Sequence, residues 1–213
     1  MRIFSVAPEG VQETADLPAT LSPQGFVWIS LERPELERRQ LEVQSCLLAL
    51  CGIPLVELHL SDLLNDQLPS HYDYTSQYDL LVFRRLAAGT PGADNTQASG
   101  RRRALPVLRR IDTSPVGFAV FDRILLTIHP SDCAARDAYA SKLLSAAADA
   151  RSSGARLPAS PADLMMRIVN QMVDGYLDLR RELTRQLDHW QAELLAPRSR
   201  FSNWASLLDA RMT

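Results

Sequence analysis

The hydrophobic pattern of this chain switches from a strand period to a helix period and back again. Apolar and β-branched residues bounded by Pro and Gly predict short strands at Arg2 to Val6 and Phe26 to Leu31. Leu36, Val43, Leu47 and Leu50 then recur at helical spacing. Pro34 suits a first helical turn and Gly52 supplies a stop, so one helix is expected between them. Ile53-Pro54 opens a shorter helix ending near Asn65. Strand-like segments return at Tyr72 to Thr75 and Tyr78 to Leu86, where Leu80-Leu81-Val82-Phe83 predicts a strand covered on both faces. The Gly, Pro, Asn, Thr and Ser content of Ala87 to Gly100 marks a flexible surface loop between two strands, with Arg101 to Arg103 at its solvated edge. Strands are expected again at Leu105 to Asp112, Val116 to Phe121 and, past an Asp122-Arg123 turn, Ile124 to His129.

An Ala-rich helix follows from about Asp132 to Ala150, broken by Ser152-Ser153-Gly154, with a linker at Pro158 to Pro161. Ser160, Pro161 and Asp163 form a helix start: a capping hydroxyl, Pro in the first turn and an acid at the third position. Met165, Val169, Met172, Tyr176, Leu179, Leu183, Leu187, Trp190 and Leu194 then recur at alternating four- and three-residue steps, a coiled-coil-like stripe. One helix over 160–195 is roughly 54 Å long at 1.5 Å per residue, longer than the width of a domain of this size. It must project. Pro197 should kink it, yet Phe201, Trp204 and Leu208 continue the stripe. That seam reads either as an intramolecular hairpin or core helix or, more economically, as a stalk packed on copies of itself or on a following helix. No stop signal stands at Thr213, so the chain reads as part of a longer one.

With 213 residues, 46% of them hydrophobic, and a formal net charge of -2, the chain suits one globular α/β unit with an extension. The near-neutral balance argues against nucleic acid as a partner. Cys46, Cys51 and Cys133 lack a C-x₂-C pair and read as reduced, buried thiols. His59, His71, His129 and His189 are scattered, without an H-x-x-x-H pair, and read as ordinary core or surface histidines. The N-terminus lacks the basic flank and apolar core of a signal peptide, which points to the cytoplasm. No window nears the ~18 to 20 consecutive apolar residues of a spanning helix. With no G-x-G-x-x-G, G-x-x-x-x-G-K-[ST] or G-x-S-x-G, the pattern does not read as an enzyme.

The element order and three segments carry a resemblance: DLLNDQLPSHYDYTSQYDLLVFR at Asp62 to Arg84, FAVFDRILLTIHP at Phe118 to Pro130, and the helix ADLMMRIVNQMVDGYLDLRRELTRQLDHWQAELL. Together they resemble the cytoplasmic domain of the CorA family of divalent-cation channels, ZntB branch included, over nearly the whole chain.

The resemblance implies an α/β fold with a mixed β-sheet sandwiched by helices and a long C-terminal stalk helix. Residues 1–158 would be the cytoplasmic α/β domain, and 159–213 the start of the stalk leading toward transmembrane helices outside this sequence. It implies the regulatory, ion-sensing part of a Mg²⁺/Co²⁺ transporter, pentameric through its stalk, at the cytoplasmic face of the inner membrane. Mg²⁺, or Co²⁺ or Zn²⁺, would be both regulatory and transported ion. The alternative is a soluble oligomeric sensing or scaffold protein of the same fold without a pore. Asp62 matches the position of an acid that helps bind a regulatory cation between subunits, its partnering carboxylate lying on the stalk beyond Thr213. By its residue type alone, Asp62 is a solvated acid near a helix end. Asp66 could add an oxygen ligand. Asp174 and Tyr176 match an acid-x-Tyr of the stalk, where Tyr176 reads as packing, and Arg84 and Arg85 read as partners of acids at the sheet edge.

Overall fold

A computed structural model describes residues 1–87, 112–149 and 157–195. The described residues fold around one seven-stranded mixed sheet in the order β2-β1-β3-β7-β6-β5-β4. The strands are β1 (Arg2–Ala7), β2 (Gly10–Thr14), β3 (Phe26–Glu32), β4 (His71–Tyr74), β5 (Tyr78–Leu86), β6 (Thr113–Phe121) and β7 (Ile124–His129). Among the described strands, β3 and β7 run parallel and the other neighbouring pairs are antiparallel. This parallel pair is central and covered on both sides, which is why its sequence is apolar almost without interruption.

Period-2 alternation sends each strand's side chains to two separate cores. On one face α1 (Arg33–Arg38), α2 (Gln40–Cys51) and α3 (Glu57–Leu64) bury Leu36, Val43, Leu47, Leu60 and Leu63 against Ile29, Leu80, Ala119 and Leu126. On the other, α4 (Ala134–Asp149) and α5 (Pro161–Leu195) lay Tyr139, Leu143, Leu164, Ile168 and Met172 on Phe4, Trp28, Phe118 and Leu125. The expected sheet between helix layers is thus the observed fold.

Local signals in the sequence act where they stand. Gly52 ends α2 in the left-handed conformation at φ 77°, its N–H bonded to the Leu48 carbonyl. The Asp163 N–H donates to Ser160 Oγ at 3.1 Å while Asp163 Oδ2 accepts from the Ala159 N–H, a reciprocal cap that starts α5. Two features depart from expectation. The helix expected from Pro34 to Gly52 is two, because Arg39 leaves helical geometry (φ −107°, ψ 18°) between α1 and α2. Strand β2, only five residues and largely exposed, was hidden by its polar composition and exists because it pairs with β1.

The buried line of α5 is Leu164, Ile168 and Met172, with Met165, Val169, Tyr176, Leu179 and Leu183 half-buried beside it. The four-and-three stripe therefore marks one margin of the packing face. A helix lying on a sheet presents a broader face than the narrow seam of a two-helix coil. Tyr176 Oη donates to the Arg84 carbonyl at 2.8 Å. Farther along, Leu187 and Leu195 are 54% and 74% exposed. At ~1.5 Å per residue, α5 is about 52 Å long. No helix among the described residues is long and apolar enough to cross a membrane.

The strand expected from Leu105 lies outside the described residues except for its end at Asp112, whose carbonyl accepts from the Ala87 N–H at 2.8 Å. Also outside them are most of the 87–100 loop, Arg101 to Arg103, the 152–154 break, Pro197, and the continuation through Phe201, Trp204 and Leu208, as are the side chains of Trp190 and Leu194.

Candidate functional site

The polar residues that the sequence scatters over 59–78 converge where α3 meets the edge strand β4. His59 and Asp62 lie one helical turn apart on α3, while His71 and Asp73 alternate onto one face of β4. The β4–β5 register sets His71 opposite Val82 and Asp73 opposite Leu80, so both side chains face the α1–α3 layer. A close approach fixes α3 in place: Gly117 of β6 lies against the Leu63 side chain, where a Cβ would collide with it. Helix and strand then exchange partners crosswise. His59 Nε2 meets Asp73 Oδ2 at 3.1 Å, and His71 Nε2 faces Asp62 Oδ2 at 3.7 Å.

The two pairs differ in chemistry. His59 is buried with a partner at each ring nitrogen: Nε2 lies 3.1 Å from Asp73 Oδ2, and Nδ1 lies 2.8 Å from Tyr78 Oη. Tyr78 Oη in turn accepts the Val56 N–H at 2.9 Å, which ties the start of α3 to β5. Burial pushes the Tyr78 hydroxyl up. The Tyr74 backbone N–H, followed by His59, holds the Asp73 carboxyl below the usual range. His71 is different. Its Nδ1 lies 3.3 Å from the Pro69 carbonyl, an acceptor, so Nδ1 carries the proton and Nε2 is turned toward Asp62. The 3.7 Å gap is too long for a hydrogen bond.

Asp62 is thus half-buried at the end of α3 beside an imidazole. Asp66 is exposed past that helix and accepts from Gln67 Nε2 at 3.2 Å. Asp174 is exposed on α5. Arg85 is paired with an acid as expected, donating to Asp132 Oδ1 at 2.6 Å; Arg84 instead donates to the Leu68 and Thr113 carbonyls and to Thr113 Oγ1. Among the described residues, no group of three or more His, Cys, Asp or Glu side chains could hold a metal ion. The cysteines are free thiols, Cys46 and Cys133 buried and Cys51 half-buried; burial lifts the Cys51 thiol to about 11, which makes it a poor nucleophile.

A second polar group sits under α4. His129 is fully buried, its Nε2 2.7 Å from Thr127 Oγ1, while its Nδ1 has no partner. Arg85 Nε, Ser114 Oγ and Ser30 Oγ are also buried and unpartnered, and strand parity puts all four on the α4–α5 face. The apolar run around His129 in the sequence concealed this group.

A family model described as CorA-like Mg²⁺ transporter protein matches residues 23–211. The chain belongs to this family. Solved structures show the same fold. The full-length CmaX protein aligns over 100% of this chain at TM-score 0.69 and 16% identity, the chain spanning 57% of that protein. The ZntB cytoplasmic domain from Vibrio parahaemolyticus RIMD 2210633 aligns over 85% of this chain and 62% of its own, at TM-score 0.54 and 16% identity. The complete CorA magnesium transporter from Methanocaldococcus jannaschii aligns over 94% of this chain and 53% of its own, at TM-score 0.61 and 16% identity. No curated protein sequence matches the chain. The family's α/β sheet between helix layers, continued by a long helix, is the architecture seen here.

Proposed function

We propose that this chain is the soluble, ion-sensing part of a divalent metal-ion transporter at the cytoplasmic face of a membrane, with Mg²⁺ or Co²⁺ as the transported ion. The observation that carries this reading is the family match over residues 23–211, joined to a fold whose last described helix leaves the sheet with its far end exposed. Residues 1–158 form the sensing domain, and 159–213 begin the stalk toward a pore supplied by further sequence. Asp62 is the cation-sensing carboxylate. An ion held between subunits links occupancy to assembly, because its removal leaves facing carboxylates that repel. Expressed as the full-length gene in cells lacking their own Mg²⁺ uptake, the protein is expected to restore Mg²⁺ entry, with Co²⁺ competing. Absence of flux for every divalent ion tested would leave a sensing or scaffold protein without a pore.

The same reading makes α5 an oligomer contact, a pentamer in the full-length protein. Beyond Tyr176 the helix exposes Leu177, Leu187 and Leu195, and in the sheet-bound part it exposes Met166 and Val173. Light scattering of the 213-residue chain is expected to show mass rising with concentration. A strict monomer at high concentration counts against stalk-mediated assembly.

A further inference from the structure

We propose that the exposed tyrosine face of β4 is a docking surface for the arginine-bearing stretch of α5 from a second copy of this chain. The inference deepens the oligomer contact given to α5 and rests on that reading for its partner, whereas the docking surface itself is read from β4 and β5.

Strand parity turns Tyr72 and Tyr74 away from His71 and Asp73, onto the side of the sheet where α5 lies. The helix does not cover them. They are 61% and 70% exposed, and their rings stack at 6.2 Å between centroids. The register sets Asp79 opposite Tyr74 and Leu81 opposite Tyr72, so a carboxylate and an aliphatic side chain share that face. Tyr72 Oη donates to Asp79 Oδ1 at 2.9 Å, which holds ring and carboxylate together. Among the described residues no cation pairs with Asp79, and none lies over either ring. Two tyrosine faces beside such a carboxylate suit a guanidinium, which stacks on the rings and gives its N–H fork to the acid. An added β-strand fits this edge less well, because the Tyr74 N–H is already taken by Asp73 Oδ1 at 2.7 Å.

The complementary surface is on α5. Just past Tyr176, Leu177, Arg180, Arg181, Thr184 and Arg185 share one exposed face of the helix. Arg181 and Arg185 pair with Asp178 and Glu182 on the same helix, exposed contacts that contribute little in water. The Arg180 guanidinium has no partner among the described residues. In its own chain α5 is tied to β5 where Tyr176 meets the Arg84 carbonyl, and its arginines do not lie over the rings. A rigid helix about 52 Å long carries them out to a neighbour instead. Since the two surfaces differ, the contact is heterologous: each copy offers its tyrosines to one neighbour and its helix to another. Contacts of that kind close into a ring when the rotation between copies permits it.

The test compares light scattering over a concentration series for the 213-residue chain, for the double variant Tyr72→Ala, Tyr74→Ala and for the double variant Arg180→Glu, Arg181→Glu. All four side chains are exposed, so circular dichroism is expected to show unchanged folding and melting. Each double variant is expected to weaken self-association by about tenfold or more. Mixed in equal amounts, the two variants are expected to form a dimer that neither forms alone, because each keeps the surface that the other has lost. Self-association of the tyrosine variant equal to that of wild type overturns the proposal and leaves assembly through α5 standing. Two weakened variants that do not recombine overturn it as well. A wild-type chain that stays monomeric at every concentration overturns the proposal and α5-mediated assembly together.

Discussion

Trp28→Ala is expected to lower the unfolding free energy by about 3–5 kcal/mol, out of the ~5–15 kcal/mol typical of a domain. Trp28 is fully buried in the α4–α5 core, stacked on Phe4 at 4.7 Å between ring centroids and edge-on to Tyr139 at 6.3 Å. Its truncation leaves a cavity beneath two helices and removes the indole N–H that donates to Thr127 Oγ1 at 2.8 Å. Urea unfolding followed by far-UV circular dichroism measures the loss. Trp28→Phe keeps most of the ring and is expected to lose less than half as much. A loss below about 1 kcal/mol for the alanine variant would mean that the core collapses into the space, and that the sheet does not depend on this layer.

His129 is expected to make the fold acid-sensitive. Burial first, then the Arg136 and Arg85 guanidiniums, push its imidazole down to about 3; Arg33 acts in the same direction and Asp137 against it. The unfolded chain takes up this proton near the ordinary value of about 6.5, so the folded state holds fewer protons between those two values. The contribution to stability is complete above about pH 6.5 and falls by about 1.4 kcal/mol per unit as pH drops toward 3. His129→Gln removes the titration. Between pH 7 and pH 4.5, wild type is expected to lose about 2–3 kcal/mol more than His129→Gln in urea unfolding. Parallel losses in the two proteins would assign the acid sensitivity to other groups.

The strands and helices were legible in the sequence because their signals are local. Phe26 to Leu31 and Ile124 to His129 read as strands from their own residues, Gly52 as a stop, and Ser160 to Asp163 as a start. Where the sequence reading departed from the structure, distant contacts had decided. Strand β2 needs β1 beside it, and Arg39 interrupts a helix that composition alone would continue. The α5 stripe was read as a seam, but the sheet beneath it selects Leu164, Ile168 and Met172. At the candidate site, Asp62 was legible only through family resemblance. Its partner His71 was seen as one of four scattered histidines.

By itself the sequence determined an α/β domain with a long C-terminal helix, since periodicity, turn chemistry and composition act over a few residues. Only the tertiary structure decided that His59 meets Asp73, that His71 meets Asp62, and that His129 lies dry beneath α4. Those pairings depend on strand register and helix rotation, which place residues distant in the chain within a few ångströms and which no local pattern encodes.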